Sequence, residues 1–170
     1  KLRLYSTDGK LILSMPSAEY KVNSIQWVND SVPSLFMLNN KGNIVVWNTD
    51  GTYKIASGDS AFDMAATCGT GTARMWYTIK GKELKILDYT FKAIQNADLS
   101  KIVFNAMQLF DTGNEILCIL KDAENIAIYR GDLKILPQVI PAVSFAVKTF
   151  QGKTYLISRT GNGKLILYVL

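Results

Sequence analysis

An all-β fold built from repeated four-stranded antiparallel units follows from three observations on the 170-residue sequence. First, an apolar-x-apolar-aromatic segment recurs as Leu2-Arg3-Leu4-Tyr5, Ile44-Val45-Val46-Trp47, Ile126-Ala127-Ile128-Tyr129 and Leu165-Ile166-Leu167-Tyr168. A further copy, Leu84-Lys85-Ile86-Leu87, keeps the alternation and ends in Leu. The last residues of the five stand at 5, 47, 87, 129 and 168, giving intervals of 42, 40, 42 and 39. Second, turn chemistry recurs with them: Tyr5 is followed by "STDG" and Trp47 by "NTDG". Asp-Gly supplies the positive φ that tight hairpins require. Third, the intervening stretches are short, rich in aromatic and aliphatic residues, and bounded by Gly, Asn, Asp or Pro, with no helical stripe. Four short strands in every forty or so residues is the pattern of a β-propeller blade.

Residues 1–16 read as the end of one blade, "LRLY" and "KLIL" around the first Asp-Gly turn. Residues 20–57 make a complete blade from "VNSIQWV", "SLFMLNN", "IVVW" and "TYKI". Residues 60–97 make another from "SAFDMAAT", "ARMWYTIK" and the Leu84–Leu87 copy, closed by "LDYTFKAI". Residues 101–140 supply "IVFNAMQLF", "EILCILKD", "IAIY" and "YRGDLKIL". Residues 142–170, "AVSFAVKTF", "TYLISRTG" and "KLILYVL", stop one strand short. The total of seventeen strands does not close a ring, because the N-terminal piece brings a third and a fourth strand while the C-terminal piece already has its own third. About four blades' worth of chain is therefore expected to form an arc of a larger propeller of about six to eight blades. An arc leaves apolar faces and strand edges unsealed, so contact with other protein subunits, or with further chain that supplies the missing blades, is expected.

Residues 22–51, "VNSIQWVNDSVPSLFMLNNKGNIVVWNTDG", resemble a degenerate WD40 repeat. Trp27 ends an inner strand, "ND" makes a polar turn, and Trp47 occupies the family's tryptophan place, with Asn48 where the family prefers Asp. The chain has no Gly-His dipeptide and no histidine at all, so the Asp-His-Ser/Thr-Trp network of well-kept WD40 blades cannot form, which leaves another propeller family open.

Composition narrows the chemistry. Hydrophobic residues make up 48% and charged residues 19%, as in a folded domain. Apolar runs stay under ten residues, and no membrane span or signal-peptide pattern is legible. The chain opens on "KLRLYSTDG", strand-like and without Met, so a piece of a longer polypeptide is expected. Cys68 and Cys118 are expected as two reduced thiols in an intracellular protein, cytoplasmic or nuclear. Without histidine there is no Ser-His-Asp or Cys-His nucleophile, no imidazole base and no zinc site with imidazole ligands. "CGTGTAR" at 68–74 lacks the third Gly and the following helix of a phosphate-binding fingerprint, so it reads as a strand-to-strand loop. Asp63, Asp88 and Glu115 are scattered, as turn and surface acids are. No catalytic residue, metal site, cofactor or small-molecule substrate is expected.

Two groups of residues stand out as candidates. Tyr5, Trp47, Leu87, Tyr129 and Tyr168 recur at the blade period and are expected, with Trp27 and Trp76, to pack between adjacent blades. Lys41, Lys80, Lys82, Lys121, Arg159 and Lys164 all fall at turns between second and third strands, a candidate basic rim for a partner. Asp8, Asp30, Asp50, Asp88, Asp111 and Asp132 fall at the opposite turns, while Glu19, Asp59, Asp98, Asp122 and Glu124 dilute the basic side. With a net charge of +5 and no Lys/Arg block, such a rim suits an acidic peptide or a nucleic-acid backbone. The expected role is a non-catalytic interaction scaffold in a multi-subunit eukaryotic assembly. The alternative is a propeller subunit of an RNA-containing particle, as in ribosome biogenesis, and a propeller enzyme ranks last.

Overall fold

The computed structural model describes residues 1–15, 20–28, 32–56, 61–99, 104–136 and 139–170. Glu19, Asp30 and Asp59 lie outside the described residues. Seventeen strands are present among those described. The chain divides into two units, Lys1–Asp98 and Leu99–Leu170.

The first unit holds three sheets. Strands β1 (Leu2–Tyr5) and β2 (Leu11–Met15) form a hairpin, with a bulge between Leu4 and Tyr5. Strands β3 (Tyr20–Val28), β4 (Ser34–Asn39), β5 (Ile44–Asn48) and β6 (Tyr53–Ile55) form a four-stranded antiparallel meander. A second meander follows with β7 (Met64–Cys68), β8 (Met75–Lys80), β9 (Glu83–Leu87) and β10 (Ala93–Asp98). The "CGTGTAR" segment joins β7 to β8 through a 3₁₀ turn at Gly71–Ala73 and presents no α-helix. Gly9 and Gly51 of the two Asp-Gly turns have φ of 82° and 87°, the conformation their sequence demands.

Alternation of side chains gives the central strands β4 and β5 of the second sheet two apolar faces. On one side of the second sheet, Leu35, Met37 and Val45 pack with Leu13 and Leu4 of the first hairpin. On its other side, Phe36, Leu38, Ile44 and Val46 meet Ala65, Trp76 and Leu87 of the third. Trp76 meets Phe36 edge-on at 5.2 Å and stacks on Phe91 at 5.1 Å. Each such aliphatic side chain contributes about 1.5–3 kcal/mol on burial, so the faces, rather than the turns, hold the sheets together.

Backbone contacts pin adjacent sheets at one end. The Phe62 N–H donates to the Gly42 carbonyl at 2.8 Å. Gly42 has φ of 81°, and a Cβ there would lie 2.6 Å from the Phe62 oxygen, so only glycine admits this approach.

The second unit repeats the scheme. Strands β11 (Ala106–Asp111), β12 (Ile116–Lys121), β13 (Asn125–Tyr129) and β14 (Ile140–Pro141) form a meander. Strands β15 (Ser144–Phe150), β16 (Lys153–Arg159) and β17 (Leu165–Val169) form a three-stranded sheet. Leu117, Ile119, Ile126 and Ile128 bury against Leu156, with Phe145, Val147 and Tyr168 beside them. The Ala142 N–H donates to the Glu124 carbonyl, the counterpart of the Phe62–Gly42 contact. The Asp63, Asn105 and Val143 amides donate to the Ile79, Lys121 and Arg159 carbonyls, each sixteen residues ahead, so the repeat is structural as well as sequential.

Candidate interaction surface

The turns order the charged residues. In a meander, successive turns alternate between the two ends of the sheet, so every second-to-third-strand turn shares an end. Lys41 lies in the β4–β5 turn, Lys80 closes β8, and Lys82 lies in the β8–β9 turn. The Phe62–Gly42 contact and a 2.7 Å bond from the Gly81 N–H to Asp63 bring these turns together at residues 61–63. In the second unit, Lys121 closes β12, Arg159 closes β16 and Lys164 lies in the β16–β17 turn. Lys121 is partly engaged, its Nζ donating to the Asp122 carbonyl at 2.7 Å. Carboxylates share both ends: Asp63 in the first unit, Asp122 and Glu124 in the second. Lys82 sits with Glu83 and Asp98 around a shallow cavity of about 310 Å³, and Lys41 with Asn39, Asn43, Tyr53 and Ile55 around one of about 350 Å³.

The opposite acids are committed to their own turns. Asp8 accepts from Ser6 and pairs with Lys10, and Asp50 accepts from the hydroxyl and amide of Thr52. Asp88 does the same with Thr90 and also takes the Lys92 amide, while Asp132 takes the Lys134 amide and ammonium. The hydroxyls hold Asp8, Asp50 and Asp88 below the usual carboxylate range, and Lys134 does so for Asp132. Asp111 caps its turn by accepting from the Gly113 amide.

The period aromatics occupy varied surroundings. Trp47, half-buried against the first hairpin, stacks on Tyr53 at 4.3 Å. Leu87 lies in the core between the second and third sheets, and Tyr168 packs on the core of the second unit. Tyr129 is buried, whereas Tyr5 and Trp27 are about half exposed, at 50% and 44%. Neither cysteine is in a disulfide, Cys118 being buried and Cys68 half-buried.

The feature that alternation alone does not reveal is the outer face of the last sheet. The register pairs Phe36 with Val46, Tyr77 with Ile86, Ile119 with Ile128, and Ile157 with Leu167. The first three pairs are buried, none of their residues more than 7% exposed, while Ile157 is 46% and Leu167 61% exposed. Leu165 and Val169 on the same face are 72% and 64% exposed. The third strands β5, β9 and β13 each pair with a fourth strand, but among the described residues nothing pairs with the outer edge of β17.

No protein-family model matches the chain, and no curated protein matches it. Solved structures do. The computationally designed Ika4 protein aligns over 95% of this chain and 99% of its own, with TM-score 0.60 and 13% identity. BBS1N in complex with ARL6DN aligns in its lead-soaked crystal over 94% of this chain and 55% of its own, with TM-score 0.61 and 13% identity. The mercury-soaked crystal gives 89%, 52%, 0.60 and 11% respectively. The chain thus spans about half the length of the BBS1N chain. At these identities the likeness bears on fold alone: the fold is all-β and of the β-propeller class, with three four-stranded antiparallel sheets among the described residues.

Proposed function

We propose that this chain is a non-catalytic, WD40-like propeller segment that serves as a rigid scaffold for protein–protein contact in a multi-subunit assembly. The observation that carries this reading is the apolar face of the last sheet, at register positions that three other sheets bury. An apolar face of Leu, Ile and Val of this kind marks a contact site, for further chain or for another subunit. Asp8, Asp50, Asp88 and Asp132 are engaged in hydrogen bonds within their own turns, which suits acids that set turn geometry. BBS1N, a structural neighbour, is found in complex with a protein, ARL6DN, which agrees with a protein-contact role.

Velocity sedimentation of the protein in its native extract tests this. The chain is expected in a fraction heavier than its own polypeptide, unchanged by ribonuclease and shifted to lighter fractions by Leu167→Glu. Sedimentation at the mass of its own polypeptide overturns the scaffold reading. Collapse of the heavy fraction on ribonuclease treatment overturns it in favour of an RNA particle.

A further inference from the structure

We propose that the cavity of about 350 Å³ between the β4–β5 turn and β6 binds a partner peptide through one Asp or Glu carboxylate and the apolar side chain beside it. The site rests on the scaffold reading and names the chemistry of one of its contacts.

Strand register builds the apolar part. Val45 pairs with Ile55 and Trp47 with Tyr53, so these four side chains share one face of the second sheet. The first hairpin packs on Val45 and Trp47, whereas Tyr53 and Ile55, one strand further out, are more than half exposed. Buried Val45 gives the cavity an apolar floor, and Ile55 and Tyr53 give it walls. The Tyr53 ring is stacked on Trp47 at 4.3 Å, so the aromatic wall is held in place before a ligand arrives. A preformed apolar cleft with a few polar groups at its mouth is the usual form of a binding site, and this one has room for one or two side chains.

The polar groups select the occupant. Asn39 uses its side-chain oxygen to accept from the Lys41 and Asn43 amides, both at 2.9 Å, which fixes the turn and leaves its NH₂ group as what it offers a ligand. Lys10, Lys85, Arg130 and Lys134 pair with carboxylates at 2.8–3.1 Å, but the Lys41 ammonium has no such partner among the described residues. No carboxylate lines the cavity. From Ser34 to Ala56 the single acid is Asp50, which sits in the β5–β6 turn at the other end of the sheet and is bonded to Thr52. An ammonium, an amide NH₂ and the Tyr53 hydroxyl around an apolar floor complement a carboxylate with an apolar neighbour. One cation matches one carboxylate, whereas a phosphoryl group of about −1.5 to −2 asks for more charge than Lys41 supplies, so an unmodified acidic segment is favoured over a phosphorylated one.

The test titrates the full chain, by fluorescence anisotropy, with short labelled peptides in a common Gly/Ser frame whose centres are Leu-Asp-Leu, Leu-Asn-Leu, Ser-Asp-Ser or Leu-phosphoserine-Leu. Saturable binding of the Leu-Asp-Leu peptide is expected, with the Leu-Asn-Leu and Ser-Asp-Ser peptides each at least about tenfold weaker. Lys41→Gln, at an exposed turn position whose fixing bonds are made by the backbone, should bring the Asp and Asn peptides to equal affinity without affecting folding. Ile55→Asp, which sets an acid in the cavity wall, should abolish binding of the Leu-Asp-Leu peptide. Amide resonances of Asn39, Lys41 and Ile55 should shift on saturation. Equal affinity of the parent chain for the Asp and Asn peptides, no saturable binding, tighter binding of the phosphoserine peptide, or binding unaltered by Lys41→Gln overturns the proposal. None of these outcomes touches the scaffold reading, which stands or falls on the sedimentation of the parent and Leu167→Glu chains.

Discussion

Gln26 and Thr67 exchange two hydrogen bonds across adjacent sheets: the Gln26 side-chain Nε2 donates to the Thr67 carbonyl at 2.6 Å, and the Thr67 N–H donates to Gln26 Oε1 at 3.0 Å. Strand β3 bulges just before Gln26, so that one polar side chain reaches the first strand of the next sheet and imitates a ladder partner. Gln26→Leu leaves that amide and carbonyl unpaired in a half-buried place, an expected loss of about 1–3 kcal/mol. A urea titration should show a lower midpoint at unchanged slope. A midpoint equal to that of the parent would mean water replaces the side chain without cost.

Ile128 and Leu167 hold equivalent register positions with opposite surroundings, one fully buried and one 61% exposed. Ile128→Ala should therefore destabilise the chain by about 2–5 kcal/mol. Leu167→Ala, at an exposed site, should stay within about 0.5 kcal/mol in the chain alone. Comparable losses at both positions in denaturant titrations would contradict a free face on the last sheet.

Acid sensitivity follows from the turns. Asp8, Asp50, Asp88 and Asp132 have folded pKa values held below the ordinary one by hydroxyl, amide or ammonium partners. A depressed folded value contributes stability above the unfolded pKa of about 3.9, lost as pH falls through the folded value. With no histidine in the chain, no imidazole titrates between about pH 5 and 8. Urea midpoints should therefore be level over that range and fall below about pH 4. Asp88→Asn should lower the midpoint at neutral pH and flatten the acid limb. A midpoint that moves near pH 6 would show that another group governs stability.

Much of the architecture was readable without coordinates because it is locally encoded. Strand alternation in "IVVW" and "LILY" is a property of neighbouring residues, and Asp-Gly needs only its own backbone to set a turn, which is why Gly9 and Gly51 have the expected φ. The engagement of the acids was half visible: Asp50 and Thr52, or Asp88 and Thr90, are two residues apart and can meet in any hairpin turn. Trp27 and Trp47 look alike as strand-end aromatics, yet Trp27 is the more exposed, at 44%, while Trp47 packs against the first hairpin, because each side chain's burial depends on whether another sheet stands opposite.

The amino-acid order thus specifies strands, turns, their period and the alternation of side chains between two faces, since these depend on interactions between residues close along the chain. Whether a face is core or surface depends on residues far away. Gln26 and Thr67 are separated by forty-one positions, and Gly42 needs its missing Cβ only because Phe62 folds back to within hydrogen-bond distance. "LILY" at 165–168 has the same alternation as "IVVW" at 44–47, yet Ile44 and Val46 are covered by a neighbouring sheet while Leu165 and Leu167 face outward. Burial is a property of the pair of surfaces, and three-dimensional packing alone determines which surfaces find a partner within the chain.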